Sequence, residues 1–138
     1  MNNYTIIITL VLSIIGWVVV HILSSKRDIR KERREFCRNT ISFIEDLEKA
    51  ALKYHMAESR NMDLEQDIKI NISFLDDRLS LIEKYFPSYC GKVQFLRSAI
   101  TLDNFQSAKF LTQSANSLII LSIRQSSHAL KMSIYNIL

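Results

Sequence analysis

Glycine and proline are almost missing from this chain, which has only Gly16, Gly91 and Pro87 among its 138 residues. A phosphate-cradling loop or the sharp turn of a hydrolase nucleophile requires clustered glycines, so neither is expected. Nothing after Gly16 forces a helix to break before Asn61, and no stretch alternates like a strand. The sequence therefore predicts an all-α fold built from long helices.

Cysteine and histidine are also few, and they are far apart in the chain. Cys37 and Cys90 are the only cysteines, and both are expected to be free thiols in the cytosol. His21, His55 and His128 do not combine with them into a metal-ligand spacing. We therefore expect no metal site and no cofactor.

Formal charge is missing from Tyr4–Leu23, a run of 20 residues dominated by Ile, Val and Leu. As a helix this run is about 30 Å long, which matches the hydrocarbon thickness of a bilayer. A cleaved signal peptide is the alternative, but it favours a basic start and a small-x-small cleavage site, and residues 1–25 have neither. We therefore predict an uncleaved transmembrane anchor over residues 1–25.

Positive charge is concentrated immediately after this anchor. Residues 26–38 hold seven Lys and Arg against three Asp and Glu, whereas basic and acidic residues are equal in number beyond residue 38. By the positive-inside rule this basic segment lies in the cytoplasm and the N-terminus lies outside the bacterial inner membrane. Such clusters usually contact anionic lipid headgroups and are poor evidence for a nucleic-acid-binding domain. The predicted lipid contacts are Lys26, Arg27, Arg30, Lys31, Arg34 and Arg38.

Small residues recur at helical spacing along the anchor. They form a narrow stripe, called here the small-residue stripe, that consists of Thr5, Thr9, Ser13 and Gly16. In lipid, small residues allow helix backbones to approach closely, and hydroxyls can bond across the contact. The alternative is that the hydroxyls bond only to carbonyls of their own helix. The stripe predicts packing of the anchor against another helix.

Residues 26–138 are expected to form a cytosolic bundle of about four helices, with the anchor helix continuing into it to about Glu58. Apolar residues recur in its cytoplasmic part in steps of four and three, one heptad after Ile29. This spacing predicts a seam that faces a partner helix. The seam consists of Phe36, Thr40, Phe43, Leu47, Ala50 and Tyr54.

A second helix is expected to open with Asp63 and Gln66 as a capping pair and to stop before Pro87. It carries apolar residues on two opposite faces, and both faces must be covered. The second cover is either another copy of the protein or a crowded bundle interior. The first face consists of Ile68, Ile72, Leu75, Leu79, Ile82 and Phe86. The opposite face, a predicted oligomer interface, consists of Ile70, Phe74, Leu81 and Tyr85.

Two further helices are expected in the remainder of the chain. A short one, roughly residues 92–101, should bury Val93, Leu96 and Ile100. Asp103 with Gln106 is expected to cap the last helix, which is predicted to extend toward the C-terminus. Its predicted core face consists of Ala108, Leu111, Ala115, Leu118, Ile119, Ser122, Leu130 and Ile137.

Arg124 and His128 are the pair that best suits chemistry, because residues four apart share one helical face. An exposed arginine can bind a phosphodiester, and an exposed histidine can donate or accept a proton. A solvated surface pair without function is the alternative. The pair resembles the Arg/His motif of the HEPN superfamily, helical bundles whose paired motifs cut RNA without metal. Three residues separate the pair here, whereas four to six separate it in that motif.

The complete layout has one N-terminal span, a basic continuation and a helical cytosolic bundle. It resembles the membrane-anchored HEPN-like accessory protein of type VI-B CRISPR systems. The resemblance implies assembly into a ring-shaped membrane pore that supports anti-phage defence. It also implies that Thr5, Thr9, Ser13 and Gly16 face the lumen or a neighbouring copy.

The leading hypothesis is therefore a homo-oligomeric effector or accessory protein of bacterial anti-phage defence. It would act on inner-membrane integrity and would not be an enzyme. The expected partners are membrane lipids, further copies of the chain and a cytosolic defence protein. One alternative is a membrane-anchored HEPN-like ribonuclease that uses Arg124 and His128 on RNA. The other is a scaffold that only recruits a partner to the membrane.

Overall fold

The computed structural model describes residues 3–83, 90–102 and 104–136, without the side chains of residues 3, 5, 82, 83 and 90. The regular structure in these ranges is helical, and no strand occurs in them. The predicted all-α fold is therefore confirmed. In chain order the helices are α1 (Asn3–His55), α2 (Met62–Glu83), α3 (Cys90–Thr101) and α4 (Leu118–Tyr135).

The chain divides into two compact units, an N-terminal unit, Met1–Phe36, and a C-terminal unit, Cys37–Leu138. Helix α1 contributes to both units and ends at His55, slightly before the predicted end. Of the helices in the described ranges, α1 is the one that is long and apolar enough to cross a bilayer, with a mean hydropathy of 2.7 in its qualifying window. Length and composition thus agree with the predicted span.

The part of α1 in the C-terminal unit buries a face that is turned slightly from the predicted seam. Thr40, Leu47 and Tyr54 are buried as predicted, whereas Phe43 and Ala50 are only half-buried. The buried face is broader than a two-helix seam because several helices of a bundle cover it. Its buried residues are Cys37, Thr40, Ile41, Ile44, Leu47, Ala51, Tyr54 and His55.

Helix α2 is capped by Asn61, and the prediction that Asp63 caps it is wrong. Asn61 Oδ1 accepts a hydrogen bond from the amide of Leu64 at 3.0 Å. Asp63 instead lies in the first turn, where a carboxylate interacts favourably with the helix dipole. The predicted core face is confirmed for Ile68, Ile72, Leu75 and Leu79, which are all buried. The side chain of Ile82 and the whole of Phe86 lie outside the described residues.

Helix α3 buries Val93, Leu96 and Ile100, as the sequence predicts. The last helix is shorter than predicted, since α4 begins at Leu118 with Ser117 as its N-cap. The predicted start near residue 103 is wrong because residues 104–117 form turns and irregular structure. Three predicted core residues in this stretch, Ala108, Leu111 and Ala115, are exposed. Leu118 and Ser122 lie on the exposed side of α4, and Ile137 lies outside the described residues. The buried face of α4 consists of Ile120, Ile123, Ser127, Leu130 and Ile134.

The side chain of Asn104 accounts for the irregular stretch, called here the Asn104 loop (residues 104–117). Its Oδ1 accepts a hydrogen bond from the amide of Leu111, and its Nδ2 donates to the carbonyl of Leu111, both at 2.8 Å. Such side-chain bonds offer the backbone an alternative to helical pairing. Gln106 lies inside this loop with a φ of 58°, in the left-handed region that a helix does not use.

Polar contacts connect the helices of the C-terminal unit at the edge of its core. Glu48 on α1 accepts hydrogen bonds from Ser127 at 2.5 Å and from Lys131 at 3.0 Å, both on α4. Arg97 on α3 forms an ion pair with Asp76 on α2. These contacts join α1 to α4 and α2 to α3 at specific pairs of positions.

We predict that Asn104→Ala destabilises the C-terminal unit by about 1–3 kcal/mol, because two hydrogen bonds to Leu111 are lost from a buried side chain. The measurement is chemical denaturation of the full chain in detergent, followed by circular dichroism. Asn116→Ala, at an exposed position of the same loop, is the control and should change stability by less than about 0.5 kcal/mol. Equal effects of the two variants would contradict this role of Asn104.

Candidate functional site

The apolar run of α1 is completely exposed within the N-terminal unit. Every described side chain from Ile6 to Leu23 is exposed, with Tyr4 exposed before them. The rings of Trp17 and His21, one helical turn apart, stack with their centroids 5.5 Å apart. Within its own unit, the described part of this run therefore presents a continuous exposed apolar surface.

The small-residue stripe lies along this exposed run. The hydroxyl of Ser13 donates a hydrogen bond to the carbonyl of Thr9 at 2.9 Å, so this donor is satisfied within its own helix. A Cβ atom added at Gly16 would meet nothing within 4 Å. The side chain of Thr5 lies outside the described residues. The stripe therefore offers close approach to a neighbouring helix, while at least one of its hydroxyls bonds locally.

A one-sided basic face follows the apolar run in the same unit. The side chains predicted to contact lipid are exposed, and most of them line a single shallow groove along α1. At about 100° per residue, Asp28, Glu32 and Glu35 fall on the other side of the helix. The groove is lined by Leu23, Lys26, Arg27, Arg30, Lys31 and Arg34. Arg38, in the C-terminal unit, is also exposed.

The second apolar face of α2 is exposed in the C-terminal unit. Ile70 is 44% exposed, Phe74 53% and Leu81 69%, while Tyr85 lies outside the described residues. These three apolar residues are therefore exposed, and their role as an oligomer interface stays a prediction. Together they are called here the α2 stripe.

A groove of about 520 Å³ runs beside the α2 stripe. Phe43 on α1 forms one wall, and the guanidinium of Arg78 lies over its ring, 5.1 Å from the centroid. A cation placed over an aromatic face is held by the ring quadrupole. The groove is lined by Phe43, Phe74, Asp77, Arg78, Ser80 and Leu81. It combines apolar walls with one acidic and one basic group.

Arg124 and His128 are both exposed on α4, as predicted for residues on its solvent side. Neither lines the two grooves described above. Ser127, which lies between them in the sequence, is buried and donates a hydrogen bond to Glu48 on α1. It therefore belongs to the packing of the bundle. The pair can reach a solvent-borne phosphodiester, and its catalytic role stays a prediction.

A buried polar cluster, which the sequence reading missed, lies where α1 ends and α2 begins. Arg60 holds the Glu65 carboxylate with two bonds, Nε to Oε2 at 2.8 Å and a terminal nitrogen to Oε1 at 3.1 Å. The hydroxyl of Tyr54 donates to Oε2 at 3.1 Å, and Lys69 lies 3.8 Å from Oε1. These donors, Arg60 first, lower the pKa of Glu65 against the opposing effect of burial. Burial raises the pKa of Tyr54.

His55 forms the second half of this cluster. Its Nε2 lies 2.9 Å from the carbonyl of Ile100, which requires the proton on Nε2. Its Nδ1 then accepts from Nδ2 of Asn104 at 3.4 Å. Burial lowers the pKa of His55. The neutral ring therefore joins the end of α1 to the end of α3 and to the Asn104 loop.

The cluster is arranged for holding structure together. Both carboxylate oxygens of Glu65 and both ring nitrogens of His55 have protein partners. Among the residues the structure describes, no group of three His, Cys, Asp or Glu could hold a metal. The sequence did contain one indication of this cluster. Glu65 lies on the same face of the helix as Ile68 and Ile72, and a carboxylate buried on that face requires partners.

No protein-family model, curated protein or solved structure matches this chain. The all-α class is therefore established by the fold itself, and function has to be argued from the exposed faces described above.

We predict that the C-terminal unit loses stability as the pH falls below about 6.5, the ordinary pKa of histidine. The pKa of folded His55 is lowered, so the unfolded chain binds the proton more readily and acid favours unfolding. Glu65, with its lowered pKa, adds a second loss that begins only near its ordinary value of 4.5. Denaturation of the full chain in detergent between pH 8 and pH 3 measures both losses.

The matched variants for this experiment are His55→Gln and His128→Gln. His55→Gln should remove most of the loss between pH 7 and pH 5, because no imidazole remains to be protonated at the buried position. His128→Gln, at the exposed position, should leave the loss unchanged. A profile that is the same in all three proteins would show that His55 does not control it.

For the ribonuclease alternative, we expect purified protein not to cut RNA in the presence of a metal chelator. Arg124 and His128 are both exposed and line neither of the two grooves, whereas cleavage requires groups that position the scissile phosphate. The measurement compares the wild type with Arg124→Ala/His128→Ala on labelled single-stranded RNA. Cleavage by the wild type that the double variant lacks would instead establish the ribonuclease.

Proposed function

We propose that this chain is a membrane-anchored protein that self-associates in the bacterial inner membrane and acts on the integrity of that membrane. One observation carries the proposal: α1 has an uncharged, exposed apolar run with a one-sided basic face immediately after it. The hydrocarbon core would cover the run, and anionic headgroups would neutralise the basic face.

The exposure of the apolar run supports a bilayer location. The large apolar residues from Ile6 to Leu23 are at least 41% exposed, the lowest value being that of Val18. Apolar surface removed from water contributes about 25 cal/mol per Å², so insertion of the whole run is strongly favourable. Because the positive charge is all at the C-terminal end of the run, the C-terminal unit is proposed to lie in the cytoplasm.

The placement of polar and basic groups on α1 supports an action on the membrane. At about 100° per residue, Thr9, Ser13 and Gly16 fall on the same side of the helix as the groove from Lys26 to Arg34. Copies that turn this side toward one another would bring small residues and hydroxyls together inside the bilayer. Basic side chains would surround the cytoplasmic mouth of that assembly.

The resemblance in layout to the membrane-anchored accessory protein of type VI-B CRISPR systems is the reason for assigning this action to anti-phage defence. A cytosolic defence protein is then the expected partner of the C-terminal unit. The scaffold alternative shares the anchor but requires no association between spans. The two functions therefore differ in whether the identity of the span matters.

We predict that Gly16→Leu weakens the association of the full chain in membranes by about fivefold, the equivalent of about 1 kcal/mol of helix packing. A Cβ atom at Gly16 would meet nothing within 4 Å, so we attribute the expected loss to contact with another copy. Crosslinking in native membranes measures the oligomer, and dye release from vesicles measures the action on the bilayer. Both should fall together.

Val18→Leu is the control, because Val18 lies on the opposite side of the same helix and the variant places the same leucine side chain there. It should leave the oligomer and the dye release unchanged. Replacing residues 1–25 with an unrelated span should abolish dye release under this proposal and preserve function for a scaffold. A chain that stays monomeric in membranes at every concentration would refute the proposal.

A further inference from the structure

The α2 stripe and its groove form an unpartnered apolar surface on the C-terminal unit, separate from the anchor helix contacts proposed above. Phe74 and Leu81 are more than half exposed, and Phe43 extends the apolar wall onto α1. Exposed aromatic and aliphatic side chains that line one groove are typical of a protein contact.

Two opposite charges occupy the middle of this surface. Asp77 and Arg78 both line the groove, and they lie between Phe74 and Leu81 along α2. Adjacent residues of a helix point about 100° apart, so this carboxylate and this guanidinium do not pair with each other. The neighbouring carboxylate of Asp76 already pairs with Arg97, whereas Asp77 forms no ion pair within the described residues.

We infer that the occupant of this groove is the α2 helix of a second copy of this chain, in an isologous contact. In such a contact the same patch is used twice, so Asp77 of each copy pairs with Arg78 of the other. A patch with both signs at its centre and apolar residues on either side of them is complementary to itself. A partner of a single charge sign would leave one of the two groups desolvated without a counter-ion.

The position of Arg78 over the Phe43 ring favours this pairing with Asp77 of a second copy. The ring holds the guanidinium at the groove, so less side-chain freedom is lost when a carboxylate binds it. Anchoring in one bilayer raises the effective concentration of copies, which allows a modest patch to associate. The inference deepens the proposed function and rests on it for the self-association, but it assigns the contact to the C-terminal unit.

Charge exchange in the full chain tests the pairing. Leu81→Cys in a Cys90→Ser background, with a flexible bismaleimide added to native membranes, reports contact between C-terminal units. Asp77→Arg and Arg78→Asp should each reduce the crosslinked fraction about tenfold, because each places like charges opposite one another. The double variant Asp77→Arg/Arg78→Asp should restore it. Since neighbouring residues cannot pair within one helix, restoration must come from contact between copies.

Co-expression of the two single variants with different tags gives the sharpest result. One chain then carries two arginines at these positions and the other two aspartates, so mixed pairs should exceed self-pairs about tenfold. Asp46→Arg, which makes the same charge change at an exposed site of α1, should leave crosslinking unaffected. Ser73→Cys, about a quarter turn from the stripe, should crosslink poorly.

The outcomes separate this inference from the proposed function. Crosslinking that ignores the charge exchange would overturn the inference, and so would a preference for self-pairs over mixed pairs. If this happens while association that depends on Gly16 persists, the proposed function stands without this contact. If the wild type shows neither contact in membranes, the proposed self-association falls as well.

Discussion

A helix leaves its last carbonyl groups without partners inside the helix, and the C-terminal unit depends on how α1 resolves this at its end. The carbonyl of His55 accepts a hydrogen bond from the amide of Gln113 at 2.8 Å, and that of Ala57 accepts from the hydroxyl of Thr112 at 2.9 Å. The ring of His55 binds the end of α3 through Ile100. The backbone and side chains at the end of α1 thus contact both α3 and the Asn104 loop.

The buried aromatic residues reinforce this junction from the apolar side. The ring centroid of Tyr54 lies 5.1 Å from that of Phe105 and 5.4 Å from that of Phe110. Both partners belong to the Asn104 loop. Its hydroxyl, at the opposite end of the ring, binds Glu65 on α2. A single side chain therefore joins the loop to a charged cluster, because tyrosine is apolar along its ring and polar at its tip.

Periodicity predicted those elements whose structure is decided locally. The all-α class, the core face of α2 and the buried face of α3 follow from apolar spacing and from the scarcity of glycine and proline. The start of α4 could not be read in the same way. Asp103 and Gln106 have the spacing of a capping pair, but the side-chain carboxamide of Asn104 bonds to the backbone of Leu111, seven residues further on. The same carboxamide also contacts His55 on α1, and spacing along the chain does not encode that contact.

The candidate surfaces were easier to predict than the cluster beneath them. The spacing of residues along a helix is enough to predict which of them share one side. The α2 stripe and the basic segment could therefore be identified from the sequence. The Tyr54, His55 and Glu65 cluster brings together residues from two helices and a loop. Spacing along the helices places these residues on buried faces. Only the packed structure shows that each of them has a hydrogen-bond partner there.

The contacts of Glu48 have a consequence for the order of events during synthesis. Its two partners, Ser127 and Lys131, are made about 80 residues later than Glu48 itself. At about 5–20 residues per second, several seconds separate the synthesis of this carboxylate from the synthesis of the hydroxyl and the ammonium group that bind it. The apolar run of α1 is complete well before then. A chain engaged with the membrane would therefore still carry an unfinished C-terminal unit, with Ile44 and Leu47 open to chaperones.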